Sequence, residues 1–539
     1  MKMNMNRREF SLLMAGAPLA LHSRQRRPNF VVIMADDMGF SDLGCYGGEI
    51  ATPNIDRMAR EGVRHTQFYN CARCCPTRAS LLTGLDPHQA GIGHMIDDLG
   101  YPGYVGHLND RCVTFAESLG LAGYQTYMSG KWHVGEERPH WPLDRGFQQY
   151  FGLISGACNY FRRDPGRKMA VNNTPYDPPA QGFYMTDAIT DRAIGMVRES
   201  ARHTNPYVLY VAYTAPHWPL QAPAEDIERY QGSYRMGWDR LREERYERQV
   251  SMGIIDRKWR LSPRYRQTPA WDSLSAAEQE DWARRMTVYA AQIDRMDQGV
   301  GRLLTTLEKT GQLRNTIVFF LSDNGGCAEV SIGKGPAERN PTDPIPGGPN
   351  SFASYRPPWA NVSDTPFRLF KHYVHEGGIA APFITWSPDL LSRKNVLEHT
   401  PAHVADMHPT LLRLAGATYP SDFQGKERLP LRGEDIWPVI QGRSKRFDRR
   451  IAWEHTGGRA LREGDWKLVA EFKKPWSLYN LADDRTELNN LAAAEPARMK
   501  RMIASWQAWA DDVGVVPWEI VKKNRAKRKA AAAEAKKNA

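Results

Sequence analysis

Cys71-Ala72-Arg73-Cys74-Cys75-Pro76-Thr77-Arg78-Ala79-Ser80-Leu81-Leu82-Thr83-Gly84 is the stretch on which the reading of this chain turns. Proline fits the first turn of a helix, where its missing N–H costs nothing, and the residues after it are good helix formers closed by Thr-Gly. The reading therefore puts Cys74 at or just before a helix N-terminus. Free backbone N–H groups and the positive end of the helix dipole favour an anion there. Arg78, about one turn on, adds a forked donor aimed back at the same place. The geometry suits an anionic ligand with tetrahedral oxygens, held against side chain 74. Cys71, Cys74 and Cys75 could instead make half a metal site or a disulfide, but no second Cys or His pair stands at a spacing that zinc would need.

Outward from this stretch, several apolar runs each end in residues able to bind metal or carry protons. Residues 28–34 read as a strand buried on both faces and end in Ala35-Asp36-Asp37. Residues 123–129 end in Gly130-Lys131-Trp132-His133, residues 207–213 run into Ala215-Pro216-His217-Trp218-Pro219, and residues 316–321 into Ser322-Asp323-Asn324-Gly325-Gly326. Ligands of open α/β sheets bind at the carboxyl ends of strands. Neighbouring carboxylates on a regular strand face opposite ways, so Asp36 and Asp37 converge only if the strand has ended. Taken singly, His133 or His217 reads as a structural histidine and Lys131 or Lys371 as a surface residue; their shared position after strands is what raises them.

The remaining chain supplies cover. Thr52 to Glu61 reads as a capped helix, residues 286–307 as a helix with an apolar stripe, and residues 223–285 as helical excursions with a solvated charged face. Residues 327–358, dense in Pro and Gly, read as a long irregular loop walling the pocket. Lys371 and Glu376-Gly377-Gly378 precede a strand at residues 381–386, and a helix follows at about 404–415. Beyond Gly442 come two short strands about an Arg-Glu-Gly-Asp turn, a third at residues 476–481 and an amphipathic helix at 496–511, a small antiparallel α+β module.

A chain of 539 residues, 41% hydrophobic, can bury a large core and divide into a larger and a smaller unit. The formal charge of +11 suits anionic substrates, but part of it lies in the Lys/Arg-rich tail, which reads as a frayed helix or disordered end and not as a nucleic-acid site. Asn6-Arg7-Arg8-Glu9-Phe10 before a short apolar run looks like a twin-arginine export signal, too short to span a bilayer; an uncleaved surface anchor is the alternative. Seven scattered cysteines do not make a disulfide scaffold, and Cys45, Cys112, Cys158 and Cys327 read as packing residues. The expected division is a signal segment over 1–27, a catalytic domain over 28–445, the α+β subdomain over 446–520 and a basic, disordered tail over 521–539.

Asp36, Asp37, Asp323 and Asn324 offer only oxygen ligands, which suits Ca²⁺ or Mg²⁺ and excludes zinc or copper; calcium accepts the crowded carboxylates better. Lys131, His133, His217 and Lys371 can surround the rest of an anion touching that metal and Arg78, as an ester leaving as an oxyanion requires.

The pattern Cys-x-Pro-x-Arg followed by Ala-Ser-Leu-Leu-Thr-Gly, with Ala35-Asp36-Asp37-Met38-Gly39, Gly130-Lys131-Trp132-His133, Ala215-Pro216-His217-Trp218-Pro219, Ser322-Asp323-Asn324-Gly325 and Lys371, resembles the type I sulfatases, nearest to the bacterial arylsulfatases, from Pro28 to about Pro517. The resemblance implies an alkaline-phosphatase-like αβα sandwich with a large, mostly parallel mixed sheet. It implies that Cys74, the only cysteine here with Pro two places on and Arg four places on, is converted to formylglycine by a formylglycine-generating enzyme, the hydrated aldehyde being the nucleophile toward a sulfate ester. It further implies that Asp36, Asp37, Asp323 and Asn324, with residue 74, bind calcium, and that Arg78 and Lys131 steady the formylglycine and the sulfate. Asp323 is then a candidate base, His217 and Lys371 serve the departing alcohol, and His133 takes the proton that expels sulfate. An aryl sulfate and a sulfated glycan both remain open as substrate, in the periplasm or outside the cell. Phosphate or phosphonate ester hydrolysis on the same fold, or glycan binding with an unconverted Cys74, are the competing readings. Two positions depart from the family pattern: Cys75 replaces a small hydroxyl residue, and Ala380 stands where relatives commonly carry Arg.

Overall fold

In a computed structural model of the protein, residues 27–329, 345–423, 425–444 and 450–538 are described. Alternate residues of its first strand point into two different cores. Val31, Ile33 and Ala35 belong to one apolar cluster and Phe30, Val32 and Met34 to the other. A strand that is apolar at every position has both faces covered, and all eight residues of β1 (Asn29–Asp36) are buried.

The sheet built around β1 has 11 strands. In chain order the rest are β2 (Val63–Tyr69), β3 (Gln125–Gly130), β4 (Gln149–Leu153), β5 (Met169–Val171), β6 (Thr174–Pro175), β7 (Tyr207–Pro216), β8 (Thr316–Ser322), β9 (Ala380–Trp386), β10 (Val396–Glu398) and β11 (Ala402–His403). Their order is β10-β2-β9-β8-β1-β7-β3-β4-β5-β6, with β11 beside β2. β1 lies parallel to both β7 and β8, and β3 parallel to β7 and β4, whereas β9 runs antiparallel to both its neighbours. β1, β3, β7 and β8 therefore empty at one edge, which is where the four polar strand endings meet.

One face is covered by α1 (Pro53–Arg60), α4 (Met185–Ser200) and α7 (Ala276–Lys309), the other by α2 (Cys74–Thr83), α3 (Phe115–Leu121) and the helix Met407–Ala415. α7 starts ten residues earlier than its apolar stripe indicates because Ser275 and Glu278 close a capping box. α5 (Ala224–Arg229) and α6 (Gly237–Ser251) correct the reading of residues 223–285 as a solvated face. α6 buries Trp238, Arg242, Arg245 and Gln249, and fully buried Arg245 donates to Asp42 at 2.7 Å and to Glu49 at 2.8 Å. The irregular stretch after Cys327 ends at a helix, Arg356–Ser363; its residues 330–344, like the Arg7-Arg8 segment, lie outside the described residues.

The C-terminal subdomain is a four-stranded antiparallel sheet, Arg450–His455, Gly458–Glu463, Trp466–Ala470 and Ser477–Asn480, backed by the helix Pro496–Val513. Leu461, Leu468 and Leu478 pack there against Met502 and Trp506. Six ionisable side chains weld it to the main sheet. Glu376 accepts from Lys467 at 2.8 Å, from Arg485 at 2.9 Å and from the Tyr69 hydroxyl at 3.0 Å, while Lys467 also pairs with Glu487 at 2.9 Å and Arg462 reaches Tyr69.

Of the two readings of the tail over 521–539, helix and disordered end, Trp518–Asn538 takes the first: it is helical and docked, its Val521 buried with Leu99 and Tyr104 and its Arg525 paired with Asp97 at 2.7 Å. No helix among the described residues is long and apolar enough to cross a membrane.

Candidate active site

β1 ends at Asp36, and Asp37 takes a left-handed backbone, φ +68°. That turn, rare for a residue with a Cβ, is what lets two consecutive carboxylates face the same point. The loop after β8 brings Asp323 and Asn324 beneath them. Asp323 accepts from the Asp37 amide at 3.2 Å, and Asn324 Nδ2 donates to Asp37 Oδ1 at 2.7 Å. Gly325 is required where this loop meets the Glu376-Gly377-Gly378 turn, since a Cβ would stand 1.9 Å from the Gly377 carbonyl oxygen.

Cations enclose the carboxylates. Lys131, delivered by β3, donates to Asp36 at 2.6 Å, and Lys371 donates to Asp37 at 2.6 Å. Arg78 donates to Asp323 at 2.9 Å and approaches Asp36 at 3.5 Å. His217, at the end of β7, sets Nε2 3.3 Å from Asp37 Oδ2. All of these groups are buried.

Cys74 is the first residue of α2, every residue of which is buried, and no side chain caps the helix at Arg73. A ring nitrogen of His133 and the Cys75 thiol lie within 4.8 Å of the Cys74 sulfur. The contact with Cys75 leads in holding the Cys74 thiol well below its usual range, and Lys131, His133 and Lys371 outweigh the opposing effect of burial. Burial lowers His133 to about 4, so it is a neutral base. Lys371 is pushed the other way: burial favours loss of its proton, but Asp37 and its acidic neighbours hold it well above the ordinary lysine value.

The residues fit a divalent cation. Among the described residues, buried Asp36 Oδ1, Asp37 Oδ2 and Asn324 Oδ1 accept no well-formed hydrogen bond, Arg78 standing 3.5 Å from the first and His217 Nε2 3.3 Å from the second. Ligand atoms of Asp36, Asp37 and His217 lie within 4.8 Å of one another. Burial, then Asp36, pushes the Asp323 carboxyl well above its ordinary value despite Arg78, the mark of carboxylates crowded beyond the charge that their own side-chain partners supply.

The structure thus brings together all ten residues singled out from the sequence. It adds others that the sequence did not flag. Arg73, inside the quoted stretch, pairs with Glu329 at 2.5 Å. His94 stacks on Trp518 at 4.9 Å and on His455 at 5.8 Å, and His372, next to Lys371, meets His455 edge-on at 5.2 Å. Only the fold juxtaposes these, since they come from four distant segments.

Sheet topology and a buried oxygen-rich centre at the strand ends place the chain among the alkaline-phosphatase-like hydrolases. The chain belongs to the sulfatase family, whose profile matches residues 28–417, and a second profile, N-sulphoglucosamine sulphohydrolase C-terminal, matches residues 367–507. It is 36% identical to an uncharacterized sulfatase of Schizosaccharomyces pombe, over 93% of this chain and 97% of that one. It is 35% identical to the arylsulfatase of Klebsiella aerogenes, over 82% of this chain and 98% of the relative. Among solved structures, Ps i-CgsB in complex with k-i-k-neocarrahexaose superposes with a TM-score of 0.67 at 24% identity, covering 90% of this chain and 93% of that one. The protein is a sulfatase, an enzyme of sulfate-ester hydrolysis.

Proposed function

We propose that this sulfatase cleaves a sulfate ester, of an aryl alcohol or of a glycan, through residue 74 in its formylglycine form, with calcium on Asp36, Asp37, Asp323 and Asn324. The observation that carries the reading is the set of three buried oxygens, on Asp36, Asp37 and Asn324, that accept no hydrogen bond among the described residues and are gathered with the Cys74 helix inside one ring of cations. The all-oxygen set suits a hard cation, and its irregular crowding favours calcium over magnesium. When in place, the cation would polarise the sulfate oxygens and the hydrated aldehyde would supply the hydroxyl that meets sulfur.

The chain's own groups then divide the work. Arg78 and Lys131, fixed by Asp323 and Asp36, hold the sulfate oxygens and offset their charge. Lys371, kept protonated by Asp37, carries the proton to the departing alcohol, with His217 beside it. His133, neutral and facing residue 74, accepts the proton from that side chain, and Asp323 is the candidate base for the hydroxyl. The enzyme is read as exported through the Arg7-Arg8 segment and matured by a formylglycine-generating enzyme.

Two measurements test this together. Mass spectrometry of the peptide spanning residue 74 is expected to show an aldehyde, and Cys74→Ala to abolish turnover while leaving the fold intact. Steady-state rates on matched aryl sulfate, phosphate and phosphonate esters are expected to favour sulfate; an intact thiol with full turnover, or a dominant phosphatase rate, overturns the reading.

A further inference from the structure

α6 and the segment after it enclose an open cavity of about 430 Å³. Its floor carries Arg242, which is 4% exposed. That guanidinium makes one hydrogen bond, from Nη2 to Ser262 Oγ at 2.8 Å, and its Nε is buried with no acceptor among the described residues. The serine is a neutral partner that spends its own proton on the Phe367 carbonyl oxygen, 2.9 Å away. Arg242 forms no ion pair among the described residues. Of the two acids that line the cavity, Asp239 is engaged by Arg264 at 2.6 Å and by the Trp271 amide at 3.0 Å, and Glu243 is exposed. Burial and Arg264 overcome the pull of Asp239 and bring Arg242 down to about 10. Thr268, also on the wall, buries a hydroxyl without a partner, and Arg266 adds a further positive charge.

A guanidinium has five donors in a rigid fork, and leaving its buried Nε–H unmet, with a single neutral acceptor on Nη2, is costly. Where such a fork shares a cavity with a free hydroxyl and extra positive charge, the missing partner is an anion with several acceptor oxygens. We propose that this cavity is a second oxyanion-binding site, separate from the catalytic centre, whose occupant is a sulfate group. The volume, within the range of small-molecule pockets, exceeds what one bare ion fills, so the group is either free sulfate or the second sulfate of a small sulfated sugar. The wall is also joined to the catalytic loop. Ser262 N donates to the Pro366 carbonyl oxygen at 3.2 Å, and the Tyr265 ring lies 5.1 Å from Phe370, the residue before Lys371. An occupant braces the segment that delivers Lys371.

The test is calorimetric titration of the intact enzyme with inorganic sulfate and, separately, with a non-hydrolysed sulfated monosaccharide, alongside anomalous diffraction from crystals soaked in selenate. The wild-type enzyme is expected to bind two equivalents, with a selenate peak at Arg242. Arg242→Gln is expected to bind one and to keep its kcat/KM on a small aryl sulfate, which reports that it folds. Should that variant fail to fold, Thr268→Val is expected to weaken the second equivalent roughly tenfold, the loss of one hydrogen bond to an anion. Sulfate alone filling the site assigns it to the free ion; the sugar alone assigns it to a substrate-borne sulfate. A single equivalent of either probe with selenate confined to the catalytic centre, or a second equivalent untouched by both substitutions, overturns the proposal.

Discussion

Glu376→Gln is expected to loosen the C-terminal subdomain from the main sheet and to take Lys371 with it. Glu376 and Glu487 face Lys467, Arg485 and Arg462, so the buried cluster carries one net positive charge in the wild type and two in the variant. Removing one partner from a buried ion cluster costs about 3–5 kcal/mol, because the remaining charges stay out of water. The titration of Glu376 gives a second figure. Burial raises its carboxyl, but Lys467, Arg485 and Arg462 outweigh that and bring it from 4.5 to about 2. At roughly 1.4 kcal/mol per unit, this is about 3 kcal/mol of stability. Because the folded value is depressed, the contribution is complete above 4.5 and is lost as pH falls through about 2. Urea unfolding followed by tryptophan fluorescence is expected to show the gap between wild type and variant near neutrality and to show it closing on acidification. Lys467→Met in the same background is expected to recover part of the loss. A gap below about 1 kcal/mol at pH 7, or one that does not close in acid, refutes the reasoning.

His88 works in the opposite direction: burial lowers it, yet Asp86 and Glu454, each 2.9 Å away, push it up to about 9. Its contribution, about 3 kcal/mol, is complete below 6.5 and is lost as pH rises through 9, so His88→Gln is expected to flatten stability over that window in pH-resolved melting. Lys371→Met is expected to lower kcat by roughly 10²–10⁴ on esters with poor leaving groups and far less on activated aryl sulfates; equal losses on both argue against its role as proton donor. Chelation followed by calcium return is expected to abolish and restore activity, and calcium at a hundredfold excess over its Kd to raise stability by about 2.7 kcal/mol; full activity after exhaustive chelation rejects the cation site.

What could be read from the sequence was whatever is local. β1, β3, β7 and β8 announce themselves as apolar runs, and the polar residues that end them are adjacent in sequence, so their meeting at one sheet edge follows from parallel pairing. The antiparallel course of β9 carries no such mark, because a strand buried on both faces looks alike in either direction. The left-handed turn at Asp37 is equally hidden, since Asp-Asp also suits an ordinary turn. The tail resembles solvated low-complexity sequence, and its docking rests on Val521, Asn524 and Arg525 meeting residues 97–104, a contact between segments some 400 positions apart. The Glu376 cluster was hidden by separation too, Glu376 lying about 90 to 110 positions before Lys467 and Arg485, whereas the Arg242 cavity lies wholly within residues 239–268 and was hidden because a charge-rich stretch reads as solvent-facing until its burial is in view.

The Cys74 side chain is 2% exposed, on a helix sealed on every side. No modifying enzyme can seat such a residue in its own cleft without first taking the sheet apart. On the proposed chemistry, the aldehyde at that position would therefore be installed while the chain is still open, ahead of the collapse of the core. A molecule that closed first would keep the buried thiol, out of reach of a modifying enzyme.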